Sequence, residues 1–223
     1  MNGRTDGIDL ARVGPGFDDL ARGSQAVFRS VLGALSHPGR PIDVAPGGIG
    51  VPPTAQPAAA AVLLALLDAD SRVWLSPALA GGDGDAAHWL RFHTGCSFVD
   101  TPDVAQFAWV GLGDAAPAFD RFAQGSDADP DQSTTCVLEV SAFEVGDGTA
   151  TGTGWTLRGP GIAGQALLQV HGLHPGVAAA AFAERWRANH AAFPRGMDLL
   201  FASAGQIVGL PRTTRVDAHP SKG

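Results

Sequence analysis

An uninterrupted apolar segment, "AAAAVLLALL", runs from Ala58 to Leu67. A helix that is apolar on every side has to be covered on every side, so this segment predicts a buried helix inside a sizeable core. The chain has 223 residues, which suits one compact unit that buries about 70% of its unfolded surface. The segment is about half of the roughly 20 residues that a membrane-spanning helix needs, so we expect no membrane span.

Helical and strand patterns alternate around this segment, which is typical of an α/β fold. Val27, Val31 and Leu35 are spaced as one face of a helix that Pro38 and Gly39 end. We therefore predict an α/β domain with a mixed β-sheet flanked by helices. Further predicted helices lie in "GDAAHWLRFHTG" and "GVAAAAFAERWRANHAAFP", and predicted strands lie in "RVWLS", "CSFVD", "AQFAWV", "TTCVLEV", "GWTLRG" and the hairpin "MDLLFASAGQIVGL", which turns at Ala204 and Gly205.

No internal repeat and no linker divides the chain. The first residues lack periodicity and contain glycine and proline, which is typical of a loose tail. We predict a loosely ordered tail over residues 1–16, a single α/β domain over 17–217 and a C-terminal tail over 218–223.

Composition narrows the function classes. The net charge is −7, which argues against nucleic-acid binding by overall electrostatics. There is no secretory signal pattern, and the two cysteines form no C-x-x-C motif. A cytoplasmic protein with reduced thiols is the expectation.

The lysine content of the chain limits which cofactors it can bind covalently. The chain has no tyrosine, and its only lysine is Lys222 in the terminal tail. A Schiff base with pyridoxal phosphate requires a lysine in a pocket, so we expect no such cofactor. His171 and His174 lack a third ligand nearby, and we expect no metal site there.

The segment "LPRTTRV" places Arg212, Thr213, Thr214 and Arg215 just past a buried strand. Arginine forks match phosphate oxygens and threonine hydroxyls add donors, so this pattern favours a phosphate or phosphonate ligand, with Arg195 nearby in sequence. The pattern is equally consistent with ion pairs of Arg212 and Arg215 with Asp198 and Asp217 on the surface.

Two further strand and helix ends carry candidate ligand groups. Arg91 and His93 occupy the last turn of a predicted helix, where the helix dipole alone accounts for cations. Arg158 precedes the turn from Gly159 to Gly161, whose backbone N–H groups suit an anion, although this sequence is also common in simple turns. If the strand ends converge, these residues join the "LPRTTRV" segment in one anion-binding surface.

Several motifs, in register from Phe17 to Val216, resemble the PhnH family, the H subunit of the bacterial carbon–phosphorus lyase system. They are "GFDDLARGSQAVFRSVLGALSHPG", "RFHTG", "LRGPGI", "FPRGMDLLF" and "LPRTTRV". The resemblance implies a degenerate type I pyridoxal-phosphate transferase fold without the cofactor lysine. It also implies a homodimer that joins the G, I and J subunits in a core complex.

The resemblance further implies a role in forming α-D-ribose 1-methylphosphonate 5-triphosphate from ATP and methylphosphonate, with release of adenine. The displacement itself is ascribed to the I subunit, so we assign no catalytic residue to this chain. Two hypotheses remain open: a subunit that contributes ligand-binding residues, and a non-catalytic dimeric scaffold with a vestigial transferase pocket. On the first hypothesis the substrate-binding residues are Arg91, His93, Arg158, Gly159, Gly161, Arg195, Asp198, Arg212, Thr213 and Thr214.

Overall fold

The computed structural model describes residues 14–45, 47–81, 85–146 and 154–219. Helix α1 (Leu20–Ser36) is capped by Asp19, whose carboxylate accepts a hydrogen bond from the backbone N–H of Arg22 at 3.0 Å. Such a cap satisfies one of the donors that the first turn leaves unpaired. The helix ends just before Pro38, as the sequence predicts.

The remaining elements follow in chain order. The helices are α2 (Pro57–Leu66), α3 (Pro77–Ala80), α4 (Asp85–Thr94) and α5 (Ala179–Ala191). The strands are β1 (Ile42–Asp43), β2 (Arg72–Leu75), β3 (Ser97–Phe98), β4 (Phe107–Val110), β5 (Thr135–Glu139), β6 (Ala142–Gly146), β7 (Gly154–Arg158), β8 (Ala166–His171), β9 (Asp198–Ala202), β10 (Gln206–Leu210) and β11 (Arg215–His219).

A mixed seven-stranded sheet forms the centre, in the order β1-β10-β9-β5-β4-β2-β3. Strands β9, β5, β4, β2 and β3 are parallel, and β10 runs antiparallel to them. Strand β1 pairs antiparallel with β10 and therefore runs in the same direction as the five parallel strands. The mixed α/β architecture predicted from the sequence is confirmed. The predicted hairpin is the β9–β10 pair, in which Ala202 lies opposite Ile207.

The central sheet has a hydrophobic core on each face. Helix α2 lies in the first core, and its residues from Ala58 to Leu63 have no exposed surface. The second core contains residues of α5 and of an antiparallel four-stranded sheet in the order β11-β7-β8-β6. The molecule is therefore layered: helices, central sheet, then α5 with the second sheet.

The second sheet is larger than the sequence predicts, because β6, β8 and β11 were not recognised as strands. His171 ends β8. Strand β11 reaches His219, two positions past residue 217. At the other end of the chain, the carbonyl of Pro15 accepts a hydrogen bond from the Gly50 N–H at 2.7 Å. The domain bounds themselves remain a prediction.

None of the helices among the described residues is long and apolar enough to cross a membrane.

Candidate functional site

The guanidinium of Arg212 lies at the centre of a network that we call the Arg212 clamp, made of Arg212, Asp198, Ser133 and the carbonyl groups of Pro130 and Pro194. Nη2 donates to Asp198 Oδ2 at 2.6 Å and to the Ser133 hydroxyl, and Nε donates to Asp198 Oδ1 at 3.2 Å. Nη1 donates to the carbonyls of Pro130 at 2.8 Å and Pro194 at 3.3 Å. The backbone N–H of Arg212 also donates to Asp198 Oδ1.

These contacts use every donor of the Arg212 guanidinium, which has five. The side chains of Arg212 and Asp198 are only 13% and 22% exposed. The pair is thus neither a free anion site nor an ordinary surface ion pair, and it ties the start of β9 to the segments around Pro130 and Pro194. A ligand role for Arg212 remains a prediction, and this geometry favours a structural role.

The two threonines after Arg212 differ in their surroundings. Thr214 is fully buried, its carbonyl accepts a hydrogen bond from Trp186 Nε1 at 2.8 Å, and its hydroxyl has no partner among the described residues. Thr213 lies half-buried in a shallow groove with Pro194 and the exposed side chain of Phe193. Of the two hydroxyls, only that of Thr213 is placed near solvent.

The turn at Gly159 and Gly161 packs against protein. Both glycines have positive φ, at 146° and 80°. A Cβ on Gly159 would lie 3.0 Å from the Thr213 carbonyl oxygen, and one on Gly161 would collide with the Ser36 carbonyl at the end of α1. Close packing therefore explains these glycines, and it brings the turn next to the "LPRTTRV" segment as the anion hypothesis requires.

Two arginines contact Asp217 of β11. Arg158 of β7 lies directly opposite Arg215 of β11, and Arg158 Nη1 lies 3.3 Å from Asp217 Oδ2. Arg187 Nη2 lies 3.8 Å from Asp217 Oδ1. These side chains are half-exposed or more, so each ion pair contributes little stability, under about 1 kcal/mol.

Arg215 contacts a histidine rather than Asp217. Its Nε donates to His190 Nε2 at 3.4 Å, which requires the His190 proton to lie on Nδ1. That Nδ1 lies 2.9 Å from the Arg212 carbonyl oxygen and donates to it. Arg195 is a further arginine in an ion pair, and its Nε lies 3.3 Å from Asp127 Oδ1.

Arg91 and His93 lie elsewhere in the fold. They end α4, which leads into β3 at the edge of the central sheet. Arg91 lies over the Phe98 ring at 5.0 Å, and His93 Nε2 lies 3.0 Å from the Gly14 carbonyl oxygen. Strand β3 is four strand positions from β9, or about 19 Å at the usual spacing.

The structure therefore brings together only part of the predicted set. Arg158, Gly159, Gly161, Arg195, Asp198, Arg212, Thr213 and Thr214 lie around one corner, while Arg91 and His93 lie across the sheet. Asp198 begins β9, so this corner lies at the amino ends of the parallel strands. Ligand sites of open α/β sheets normally lie at the carboxyl ends.

A buried carboxylate that the sequence analysis missed lies at the carboxyl end of β5. Glu139 is 1% exposed. Its Oε1 accepts hydrogen bonds from the Gln56 N–H at 2.7 Å and Trp109 Nε1 at 2.9 Å, and its Oε2 accepts one from the Leu112 N–H at 3.1 Å. Burial raises the pKa of the Glu139 carboxyl above its ordinary value, although these hydrogen bonds act in the opposite direction.

Side chains and backbone groups pair with one another just beyond the carboxyl ends of β2 and β4. The Ser76 hydroxyl accepts a hydrogen bond from the Gly111 N–H at 2.9 Å, and Asp114 Oδ2 accepts one from the Ala78 N–H at 2.8 Å.

The signal for Glu139 in the sequence is a single acid at the end of the apolar run "TTCVLEV". A charged residue there indicates a buried, hydrogen-bonded carboxylate.

The histidines of "HGLH" have separate partners. His171 Nε2 lies 3.1 Å from Glu144, and His174 Nδ1 accepts a hydrogen bond from the Gly176 N–H at 3.1 Å. Within the described part of the chain, no group of three or more histidine, cysteine, aspartate or glutamate side chains is placed to hold a metal ion.

The family model described as "Bacterial phosphonate metabolism protein (PhnH)" matches residues 15–217. The chain belongs to the PhnH family. The matched range contains the Arg212 clamp, Glu139, the central sheet and all of the second sheet except the last two residues of β11.

Two known proteins are similar to this chain along most of its length. The chain is 39% identical over 201 residues to "Alpha-D-ribose 1-methylphosphonate 5-triphosphate synthase subunit PhnH" of Rhizobium meliloti (strain 1021), which covers 90% of this chain and 94% of that protein. It is 31% identical over 195 residues to "Putative C-P lyase subunit protein HtxG" of Stutzerimonas stutzeri, which covers 86% of this chain and 85% of that protein.

Proposed function

We propose that this chain is a subunit of the carbon–phosphorus lyase core complex in phosphonate catabolism. The observation that carries the proposal is the 39% identity, along nearly the whole of both chains, to a subunit named for ribose 1-methylphosphonate 5-triphosphate synthase. In this role the chain supports formation of α-D-ribose 1-methylphosphonate 5-triphosphate from ATP and methylphosphonate, with release of adenine. The enzyme is the assembled complex, which is cytoplasmic and contains the G, I and J subunits.

The geometry of the arginine corner agrees with a supporting role better than with a catalytic one. Arg212 has no donor left for a substrate, and Thr214 is buried. Both cysteines are buried, and burial raises the pKa of each thiol, which suppresses the nucleophilic thiolate. The second hypothesis, a non-catalytic dimeric scaffold with a vestigial transferase pocket, is favoured by the Arg212 clamp in particular.

The proposal also covers the type of fold and the expectation that no pyridoxal phosphate is bound. A mixed sheet with five parallel strands is compatible with a degenerate type I pyridoxal-phosphate transferase fold. The only lysine of the chain is Lys222, which lies outside the described residues. We expect the protein to act without pyridoxal phosphate, because a Schiff base needs a lysine held in a pocket.

Helix α1 offers a surface for the homodimer. Its outer face exposes Phe28 and Leu32, at 45% and 48%, one turn apart. Apolar side chains in an exposed row mark protein contacts, and a row of this kind can pair with its own copy about a two-fold axis. We assign the contact with the second copy to this row.

Co-expression with the G, I and J subunits tests the proposal. We expect this chain to copurify in a complex whose mass, by native mass spectrometry, includes all four subunits. Leu32→Asp should convert the isolated chain from dimer to monomer in size-exclusion chromatography with light scattering. Leu112→Asp, at an exposed leucine in the loop after β4 and away from α1, is the control and should leave the dimer intact. A complex that assembles fully without this chain would contradict the subunit role.

A further inference from the structure

A cavity opens on the opposite side of the central sheet from Glu139. Its walls come from the loop after β4, the end of β5, the loop after β8 and the first turns of α5. The space inside the cavity that water-sized groups can occupy measures about 30 Å³. Its apolar lining consists of Ala116, Pro117, Phe119, Leu138, Leu173, Val177 and Phe182.

The location and lining are those of a ligand site. Leu138 is the next-to-last residue of β5, so the cavity lies at the carboxyl end of the parallel strands, unlike the Arg212 clamp. Small-molecule sites are concave and mostly apolar, with a few polar groups that fix orientation. The polar groups here are Asp114, His174 and Arg185.

Arg185 supplies the positive charge. Its side chain is exposed on α5, and among the described residues it makes no hydrogen bond or ion pair, in contrast to Arg212. An arginine with free donors beside an apolar cavity is suited to an oxyanion. The charge of Asp114 is partly balanced by the hydrogen bond from the Ala78 N–H.

His174 supplies a second donor. Because its Nδ1 accepts a hydrogen bond from the Gly176 N–H, the neutral ring carries its proton on Nε2. That leaves Nε2–H as a donor at the cavity, where His174 is half-buried. Arg185 and His174 therefore offer several donors to an anionic group at the mouth.

The enclosed part of the cavity is small, with room for about two water-sized groups. Such a space fits an alkyl group of one or two carbons and excludes an aromatic ring. We propose that this cavity binds a short-chain alkylphosphonate, with the alkyl group among Phe119, Leu173 and Phe182 and the phosphonate oxygens on Arg185 and His174. The choice of phosphonate over other small oxyanions rests on the proposed function.

Ligand-observed NMR on the full chain tests the site with methylphosphonate, ethylphosphonate, phenylphosphonate and inorganic phosphate. We expect saturable binding of the two alkylphosphonates and at least tenfold weaker binding of the other two. Arg185→Gln should weaken binding of methylphosphonate by about tenfold or more, because a charged hydrogen-bond partner is lost. Arg187→Gln is the matched control: it lies two positions along α5, on the opposite side of the helix, and should leave the affinity unchanged.

A cavity-filling variant tests the binding of the alkyl group separately from the binding of the charged phosphonate group. Ala116→Val should weaken ethylphosphonate binding at least fivefold while leaving the weak binding of inorganic phosphate unchanged, with the fold checked by thermal denaturation. Equal affinity of wild type and Arg185→Gln for methylphosphonate would overturn the site. Absence of any alkylphosphonate binding would do the same.

The outcomes also separate this site from the proposed function. If the complex makes triphosphate product only with this chain present, but the chain binds no alkylphosphonate, the cavity proposal fails and the subunit role stands. If the chain binds alkylphosphonates through Arg185 but the complex makes product equally well without it, the subunit role fails and the binding site stands.

Discussion

Glu139 at the end of β5 accepts a hydrogen bond of 2.7 Å from the backbone N–H of Gln56, the residue before helix α2. This contact joins positions 83 residues apart and places a carboxylate at the amino end of a buried helix. A negative charge there is favoured by the helix dipole. Glu139 therefore orients α2 against the strands through one side chain.

The first prediction concerns the stability that Glu139 provides. Glu139→Leu keeps the approximate volume but leaves the N–H groups of Gln56, Trp109 and Leu112 without their acceptor. Each unpaired buried donor costs about 1 kcal/mol or more, so we expect a loss of about 3 kcal/mol in the free energy of unfolding, measured in urea. Glu144→Leu, on the exposed strand β6, is the control and should change it by less than about 0.5 kcal/mol. Equal stability of the two variants would contradict the role of Glu139.

The second prediction follows from the raised pKa of Glu139. The folded protein holds the Glu139 proton to higher pH than the unfolded chain, whose glutamate titrates near the ordinary value of 4.5. The stability that this raised pKa contributes is therefore fully present below that value and is lost as pH rises through the folded pKa. The free energy of unfolding of wild type, relative to Glu139→Gln, should fall as pH rises above 4.5. A difference that increased with pH would show that the pKa is lowered.

The third prediction separates the Arg212 clamp from the surface ion pairs. Arg212→Ala leaves the Asp198 carboxylate with little solvent and without its charged partner, since only the backbone N–H of residue 212 still donates to it. We therefore expect a loss of about 3 kcal/mol in the free energy of unfolding. Arg195→Ala removes an exposed ion pair with Asp127 and should cost under about 1 kcal/mol. A double-mutant cycle with Asp198→Asn would show coupling above about 1 kcal/mol. Unchanged stability with lost ligand affinity in Arg212→Ala would instead restore the anion-binding hypothesis.

The fourth prediction concerns the thiols. Cys136 is 1% exposed and burial raises its pKa to about 12. Burial also raises the pKa of Cys96. We expect a thiol reagent such as Ellman's reagent to modify neither cysteine in the folded chain at pH 8, and to modify both after addition of urea. Rapid reaction of one thiol in the folded chain would show that its surroundings open.

Local patterns were sufficient for much of the fold. The spacing of Val27 and Val31, the all-apolar segment from Ala58 and the turn at Ala204 and Gly205 each correspond to an element of the structure. Strands β6, β8 and β11 are not predicted from the sequence: their alternation is weak, and β11 pairs with β7, which lies far from it along the chain.

The candidate site was less predictable. Whether Arg91 and Arg212 share a surface depends on strand order, which local sequence does not encode, and they lie at opposite parts of the sheet. Whether Arg212 is free depends on acceptors at Pro130, Ser133 and Pro194, which come from two loops distant in sequence. The cavity beside Arg185 is likewise assembled from several loops, and no short motif marks it.

The most direct test of the subunit role is the rate of triphosphate product formation from ATP and methylphosphonate by the reconstituted complex, with and without this chain. We predict product with the chain present and a loss of at least tenfold when it is omitted, with recovery on adding it back. An equal rate in its absence would contradict the account.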